Sequence, residues 1–316
     1  GNIASWNDAG NWLPAEVPPE GATILFNSPD SHIILSLGDP YSSTFIFAPG
    51  AGDHSLNGAA FGISEAVFNY STSEQSIGAI QAVADQLTIH TDTGGLLRVA
   101  GVLGSVANST VTFDVDGEVV VSSSLSSHFS TLVKTGTGTL SLQGENNHHT
   151  TQIQSGTVSV VNSLGTGGVE IWRGGVLRVT GTAHAYDEIS IVHGPDNTGR
   201  AIITGASNAQ LSGIYIFNTL TLLQGDYTDY TTADSFFRIK GPLALIAPSL
   251  YVDGVILEGS LVMGVGNVVV EGYIALEGND ANTQTVTFHV LEGTRLVVNK
   301  SDGTLAIPPN GRLTWR

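Results

Sequence analysis

The residues whose types and spacing come closest to a reactive set are acidic, and the tightest group is Asp114-Val115-Asp116-Gly117-Glu118. Side chains alternate between the two faces of an extended strand, so Asp114, Asp116 and Glu118 are expected on one face. Three carboxylates there offer oxygen ligands to Ca²⁺, and paired carboxylates at a cleft are the machinery of glycoside hydrolysis. The same residues also read as a turn, because Asp-Gly ahead of a valine run commonly joins two strands. That reading comes first. Asp187-Glu188, and Asp226, Asp229 and Asp234, are expected on loop surfaces. His148-His149 lies among asparagines, which suits a solvated loop better than a metal site. The chain has no cysteine and lacks a Gly-x-Ser-x-Gly elbow, a His-Glu-x-x-His helix and a P-loop. No catalytic, cofactor-binding or metal-ligating residue is assigned, and the chain is not expected to be an enzyme.

Charge narrows the partners. Net charge is −17, with ten acids and no bases in residues 1–97 and 18 acids against 11 bases thereafter. Phosphate binding needs a basic stripe, so nucleic acid is not an expected partner, and anionic membranes are disfavoured for the same reason. Seven of the basic residues, Arg98, Lys134, Arg173, Arg178, Arg238, Lys240 and Arg295, lie in or beside strand-like segments. They are expected at exposed strand positions. No apolar run approaches the length of a membrane span. The chain starts at Gly1 without an n-region and h-region, and it is read as a mature product whose export signal, if any, is gone.

The elements that must position these side chains are short strands. With 41% apolar residues, 12% charged residues and 39 glycines, the composition favours strands joined by tight turns over helices or disorder. The pattern Gly-x-apolar-x-apolar recurs, as in Gly138-Thr139-Leu140-Ser141-Leu142 and Gly156-Thr157-Val158-Ser159-Val160. Its glycine is expected to permit a turn with positive φ, and the alternation to turn two apolar side chains inward. From Gly95 through Gly117, Gly138 and Gly156 to Gly175 the steps are 22, 21, 18 and 19 residues. A period near 20 is what one coil of a β-solenoid requires, and stacked coils satisfy each other's backbone and fuse their inward residues into one core.

Three segments depart from the repeat. Residues 1–70, turn-rich around Pro14, Pro18 and Pro19, are expected to form an N-terminal β cap, with the solenoid running over 71–316. Residues 74–87 fit a helix through Ile77, Ile80, Val83 and Leu87, while Gly78 and the strand-like Leu87–His90 argue for strand. Between 183 and 240 the glycine pattern lapses and aromatics gather, so an insertion or protruding loop is expected there, centred on Gly225–Tyr230.

Residues 132–180 carry a more specific signal. Leu132-Val133-Lys134-Thr135-Gly136-Thr137-Gly138-Thr139-Leu140-Ser141-Leu142-Gln143-Gly144-Glu145-Asn146 is followed by Thr151-Gln152-Ile153-Gln154-Ser155-Gly156-Thr157-Val158-Ser159-Val160. This resembles the autotransporter-associated β-strand repeat, also called the passenger-associated transport repeat. Asn162-Ser163-Leu164-Gly165 and Gly174-Gly175-Val176-Leu177-Arg178-Val179 resemble its continuation, and Ser5-Trp6-Asn7-Asp8-Ala9-Gly10-Asn11-Trp12 resembles the start of such proteins. The resemblance implies an all-β fold, a right-handed parallel β-helix, exported and either displayed on a bacterial surface or released. It implies no particular activity. Residues 250–316 are too short for an outer-membrane barrel, so a cleaved passenger or a repeat protein exported by another route is expected. Three functions remain open. They are a self-assembling structural subunit joined head to tail through its ends, an adhesin for cells or glycans, and a polysaccharide-degrading enzyme using Asp114 or Asp116.

Overall fold

The computed structural model describes residues 3–5, 7–11, 15–28, 31–35, 42–172, 174–192, 201–206, 209–217 and 221–225, and beyond these, strands between 237 and 306. Among the described residues all regular structure is strand, apart from one 3-10 turn at Ala9–Asn11. Among the described residues the strand pairings are parallel, with partners about one repeat apart in sequence. The fold is a parallel β-solenoid.

The chain divides into two compact units, residues 1–151 with 156–158, and residues 152–155 with 159–316. In the first unit each coil contributes to three ladders, here called A, C and B in the order the chain visits them. Ladder A runs through His54–Gly58, 74–77, 96–99, Glu118–Val121 and Thr139–Leu142. Ladder C joins 61–63 to 80–82 and 80–82 to 102–104. Ladder B runs through Thr23–Phe26, 44–47, 66–69, Gln86–Thr91, Ser109–Val115 and Phe129–Thr135. Residues 23–69 thus pair in the same ladders as the coils after residue 70. The second unit repeats the scheme, with Val176–Val179 on 202–205 and 202–205 on 222–225.

Registered positions form the core. Leu56, Ile77, Val99, Val121 and Leu142 follow one another down ladder A, all fully buried. Each such side chain contributes about 1.5–3 kcal/mol by leaving water. On ladder B the column is Ile24, Phe45, Val67, Ile89 and Phe113. Phe26 stacks on Phe47 with ring centroids 4.8 Å apart and meets Phe45 edge-on at 5.6 Å.

Residues 74–87 are strand and not helix: Glu74–Ala82 is followed by Gln86–Thr91. The helix-like spacing has a geometric cause. Between Ile77 and Ile80 the chain turns the corner from ladder A to ladder C, so residues three apart both point inward. Gly78 sits at that corner, where a Cβ would lie 3.4 Å from the Leu56 carbonyl.

Gly156 adopts the expected positive φ, near 67°, but most of the repeat glycines have a different role from the one expected. Gly95, Gly117, Gly138 and Gly175 do not adopt positive φ; Gly94, Gly136 and Gly174, one or two residues earlier, do. The repeat glycine is required by close stacking. A Cβ on Gly117 would lie 2.3 Å from the Gly95 carbonyl oxygen, and one on Gly138 would lie 2.1 Å from that of Gly117. At Gly156 it would lie 2.6 Å from that of Gly138. The four form a column in which each carbonyl occupies the space a side chain would need.

Residues 183–240 remain in the ladders where they are described. Thr182–Val192 pairs with Gln210–Phe217, with a register break between His184 and Glu188. Asp187 and Glu188 therefore belong to a strand and not to a loop. The segment 226–236, with Asp226, Asp229 and Asp234, lies outside the described residues, as does Arg173.

Candidate functional site

The acidic run 114–118 does not share a face. Ser109–Val115 is the ladder B strand of its coil, Asp116-Gly117 forms the corner, and Glu118 opens the next strand of ladder A. The corner resets the alternation that an uninterrupted strand would have kept. Among the described residues no group of three His, Asp or Glu side chains could hold a metal ion.

Asp114 and Asp116 instead join a cluster on the outer surface of ladder B. Register brings His90 beside Asp114, and Asp114 beside Thr135, on three successive coils. His90 Nδ1 lies 2.9 Å from Asp114 Oδ2, and His90 Nε2 lies 2.8 Å from Asp92 Oδ1. The Thr135 hydroxyl donates to Asp114 Oδ1 at 2.8 Å. Asp116 Oδ1 accepts from the Thr137 backbone N–H at 2.8 Å and from its hydroxyl at 3.0 Å. Those two bonds, the backbone one foremost, hold the Asp116 carboxyl below its ordinary pKa. Burial alone would lower the pKa of His90, but the hydrogen bonds and charges of Asp92 and Asp114 outweigh it and raise it. The Phe68 and Tyr70 rings, parallel within 4° at 5.8 Å, flank the imidazole at 5.9 and 5.6 Å.

This geometry is poor for acid–base catalysis. A general base needs a lone pair within reach of substrate. Here both imidazole nitrogens and both Asp114 oxygens already face partners on their own or neighbouring coils. The cluster links coils.

The second cluster is internal and centres on Lys134. Arg98 and Arg178 are exposed, as expected of strand cations, and Arg98 meets Glu74 at 2.9 Å on the surface. Lys134 is not: it is fully buried, continuing the inward column directly below Phe113. Its parity explains this, because Leu132, two residues earlier, already points inward. The ammonium donates to the backbone carbonyls of Val115, Thr135 and Gly136, the first at 3.3 Å and the last at 2.9 Å. Burial pulls its pKa down to about 8, against the pull of Asp114 and Asp116 from outside. Arg238, Lys240 and Arg295 lie on strands, and their exposure falls outside the described residues.

His148 is likewise buried, whereas its neighbour His149 is exposed. The expected solvated His-His loop is half internal. His148 Nε2 lies 2.7 Å from the Thr151 hydroxyl, and burial, with His149 adding, pushes its pKa down to about 4. The folded state therefore takes up this proton less readily than the unfolded chain. As pH falls from 6.5 to 4, stability is expected to drop by up to about 3 kcal/mol. Urea unfolding at pH 7 and pH 4.5 checks this, and His148→Gln is expected to flatten that part of the profile.

Further polar side chains inside the first unit are bonded in the same manner. Gln75 donates to the Gly52 carbonyl at 2.9 Å, and Asn69 Oδ1 accepts from the Ser71 N–H at 3.1 Å. The Ser71 hydroxyl donates to the Ala51 carbonyl at 2.6 Å, one coil back. His90, Asp92 and the inward direction of Lys134 escape a reading of motifs. The signal that finds His90 is its 24-residue step to Asp114, close to one coil. No protein family matches the chain, and neither a curated protein nor a solved structure is significantly similar to it.

Proposed function

We propose that this chain is a non-catalytic structural protein, exported to the bacterial surface or beyond, and a self-assembling subunit of an extracellular fibre, sheath or matrix. One observation carries the reading: the ionisable groups that come together in the first unit are consumed in bonds between coils. Asp114 and Asp116 bind threonines one coil on, His90 bridges two coils, and Lys134 is spent on backbone carbonyls. Export to a bacterial surface rests on the resemblance to autotransporter-associated repeats. Assembly rests on the parallel ladders, since a terminal strand presents unpaired N–H and C=O groups to another copy. The net charge of −17 argues against nucleic acid as partner. Among the described residues no helix is long and apolar enough to cross a membrane.

An adhesin is the alternative, and the outer face of ladder B favours it. Leu25, 56% exposed, is followed in register by Ile46 and Phe68, with Tyr70 alongside. Such an apolar strip suits the face of a sugar ring or a host protein. Electron microscopy with light scattering across a concentration series separates the two. Filaments that lengthen with concentration are the expected result. Monomers at every concentration contradict assembly, and monomers that bind cells or glycans support the alternative.

A further inference from the structure

We propose that His90 is a proton-operated staple, which ties ladder B to the corner after it in the protonated state and loosens when its proton leaves. The inference stands apart from the function proposed above, because it concerns how the first unit holds together in any role.

Geometry carries it. A neutral imidazole has one N–H donor and one acceptor nitrogen, whereas imidazolium has two donors. Both His90 nitrogens face carboxylate oxygens, which can only accept while ionised. Only imidazolium satisfies both contacts; the neutral ring must set a lone pair against Asp92 or Asp114. The two contacts differ in what they join. Asp92 lies two residues along the same chain segment, whereas Asp114 lies on the next coil, directly in register with His90.

The surroundings keep the charge balance simple. Asp92 faces the ring from its own segment, and Asp114 faces it from Ser109–Val115. Asp116, at the corner that follows, adds attraction at longer range, and its own pKa is lowered partly by His90. From Phe61–Asn69 and the corner after it come the Phe68 and Tyr70 rings. Lys134 approaches from the core side of Phe129–Thr135 and is felt by Asp114 and Asp116. Two carboxylates in contact and two aromatic rings around one imidazole favour its cation, in line with the upward direction of its pKa.

The sign follows. A histidine whose folded pKa lies above its unfolded value of 6.5 contributes fully below 6.5, and the contribution is lost as pH rises through the folded value. The test is a histidine NMR titration of the full chain, in wild type and in Asp114→Asn. His90 is expected to titrate above 6.5 in wild type and lower in the variant, where one carboxylate is gone. Hydrogen exchange of residues 90–92 and 114–116 supplies a second readout. Wild-type protection there is expected to fall on going from pH 6 to pH 8.5 once the intrinsic exchange rate is divided out, and His90→Gln is expected to abolish that dependence. A wild-type midpoint at or below 6.5, or a midpoint unmoved by Asp114→Asn, overturns the proposal. So does corrected protection that is equally pH-dependent in His90→Gln. If Asp114→Asn fails to fold, the wild-type midpoint and the His90→Gln comparison decide.

Discussion

Gly138→Ala is expected to destabilise the first unit by about 3 kcal/mol or more, although it adds a single methyl group. That methyl would lie 2.1 Å from the Gly117 carbonyl oxygen and 2.8 Å from that of Asp116. Neither is the tip of a flexible side chain: both are backbone atoms of the preceding coil, and the Gly117 carbonyl accepts the Thr139 N–H at 3.0 Å. To make room the two coils must separate at their corner, which breaks that bond and opens the ladder beside it. Gly21→Ala is the control. Gly21 has φ near +77° but nothing within 4 Å of its missing Cβ, so the cost there is backbone strain alone, about 1 kcal/mol. Urea midpoints of the two variants against wild type check the contrast. Equal, small effects would mean that the coils are not in contact at this corner.

Lys134→Glu is the second substitution expected to have a large effect, about 3–5 kcal/mol. It replaces a buried donor to three carbonyls with an acceptor aimed at the same oxygens, in a fully buried position below Phe113. Lys134→Met is expected to be milder, because it removes the donor without adding a buried negative charge. The wild-type lysine has a signature of its own. Its folded pKa of about 8 lies below the unfolded 10.5, so the unfolded chain holds the proton more tightly. Its contribution therefore makes stability rise with pH between 8 and 10.5, by about 2 kcal/mol. Unfolding free energies measured across that window for wild type and Lys134→Met check it: the rise is expected in the first and not in the second.

These positions show how far the amino-acid order can be read. The ladder A strands at 96–99, Glu118–Val121 and Thr139–Leu142 are legible because a glycine precedes each, and the last alternates cleanly. The corners are where the reading fails. Alternation carried through Asp116-Gly117 put Asp114 and Glu118 on one face, yet the chain changes ladder between them. A corner between Ile77 and Ile80 imitated helical spacing in the same way. The glycine was legible as necessary, but, Gly156 with its positive φ apart, for the wrong reason: close approach of two backbones is a property of stacking, and no single coil contains it. Lys134 follows the same logic. A lysine in a short strand is ordinarily a solvated residue; only three carbonyls converging from two coils make burial tolerable, and one of them, that of Val115, lies 19 residues away. His90 and Asp114 become neighbours only once the register of Gln86–Thr91 on Ser109–Val115 is known.

The central claim, parallel coils stacked in one specific register, is open to a direct test because the chain has no native cysteine. Thr88 and Thr112 are registered partners on ladder B, as Ser76 and Arg98 are on ladder A, and none of the four is buried. Adjacent strands stand about 4.8 Å apart, within the Cα separation a disulfide accepts. Cysteine pairs at 88 and 112, or at 76 and 98, are therefore expected to oxidise to completion in the folded protein. The pair at 88 and 113, shifted by one residue so that one cysteine points inward, is expected to remain reduced. Failure of both registered pairs to close, or equal closure of the shifted pair, would contradict the stack.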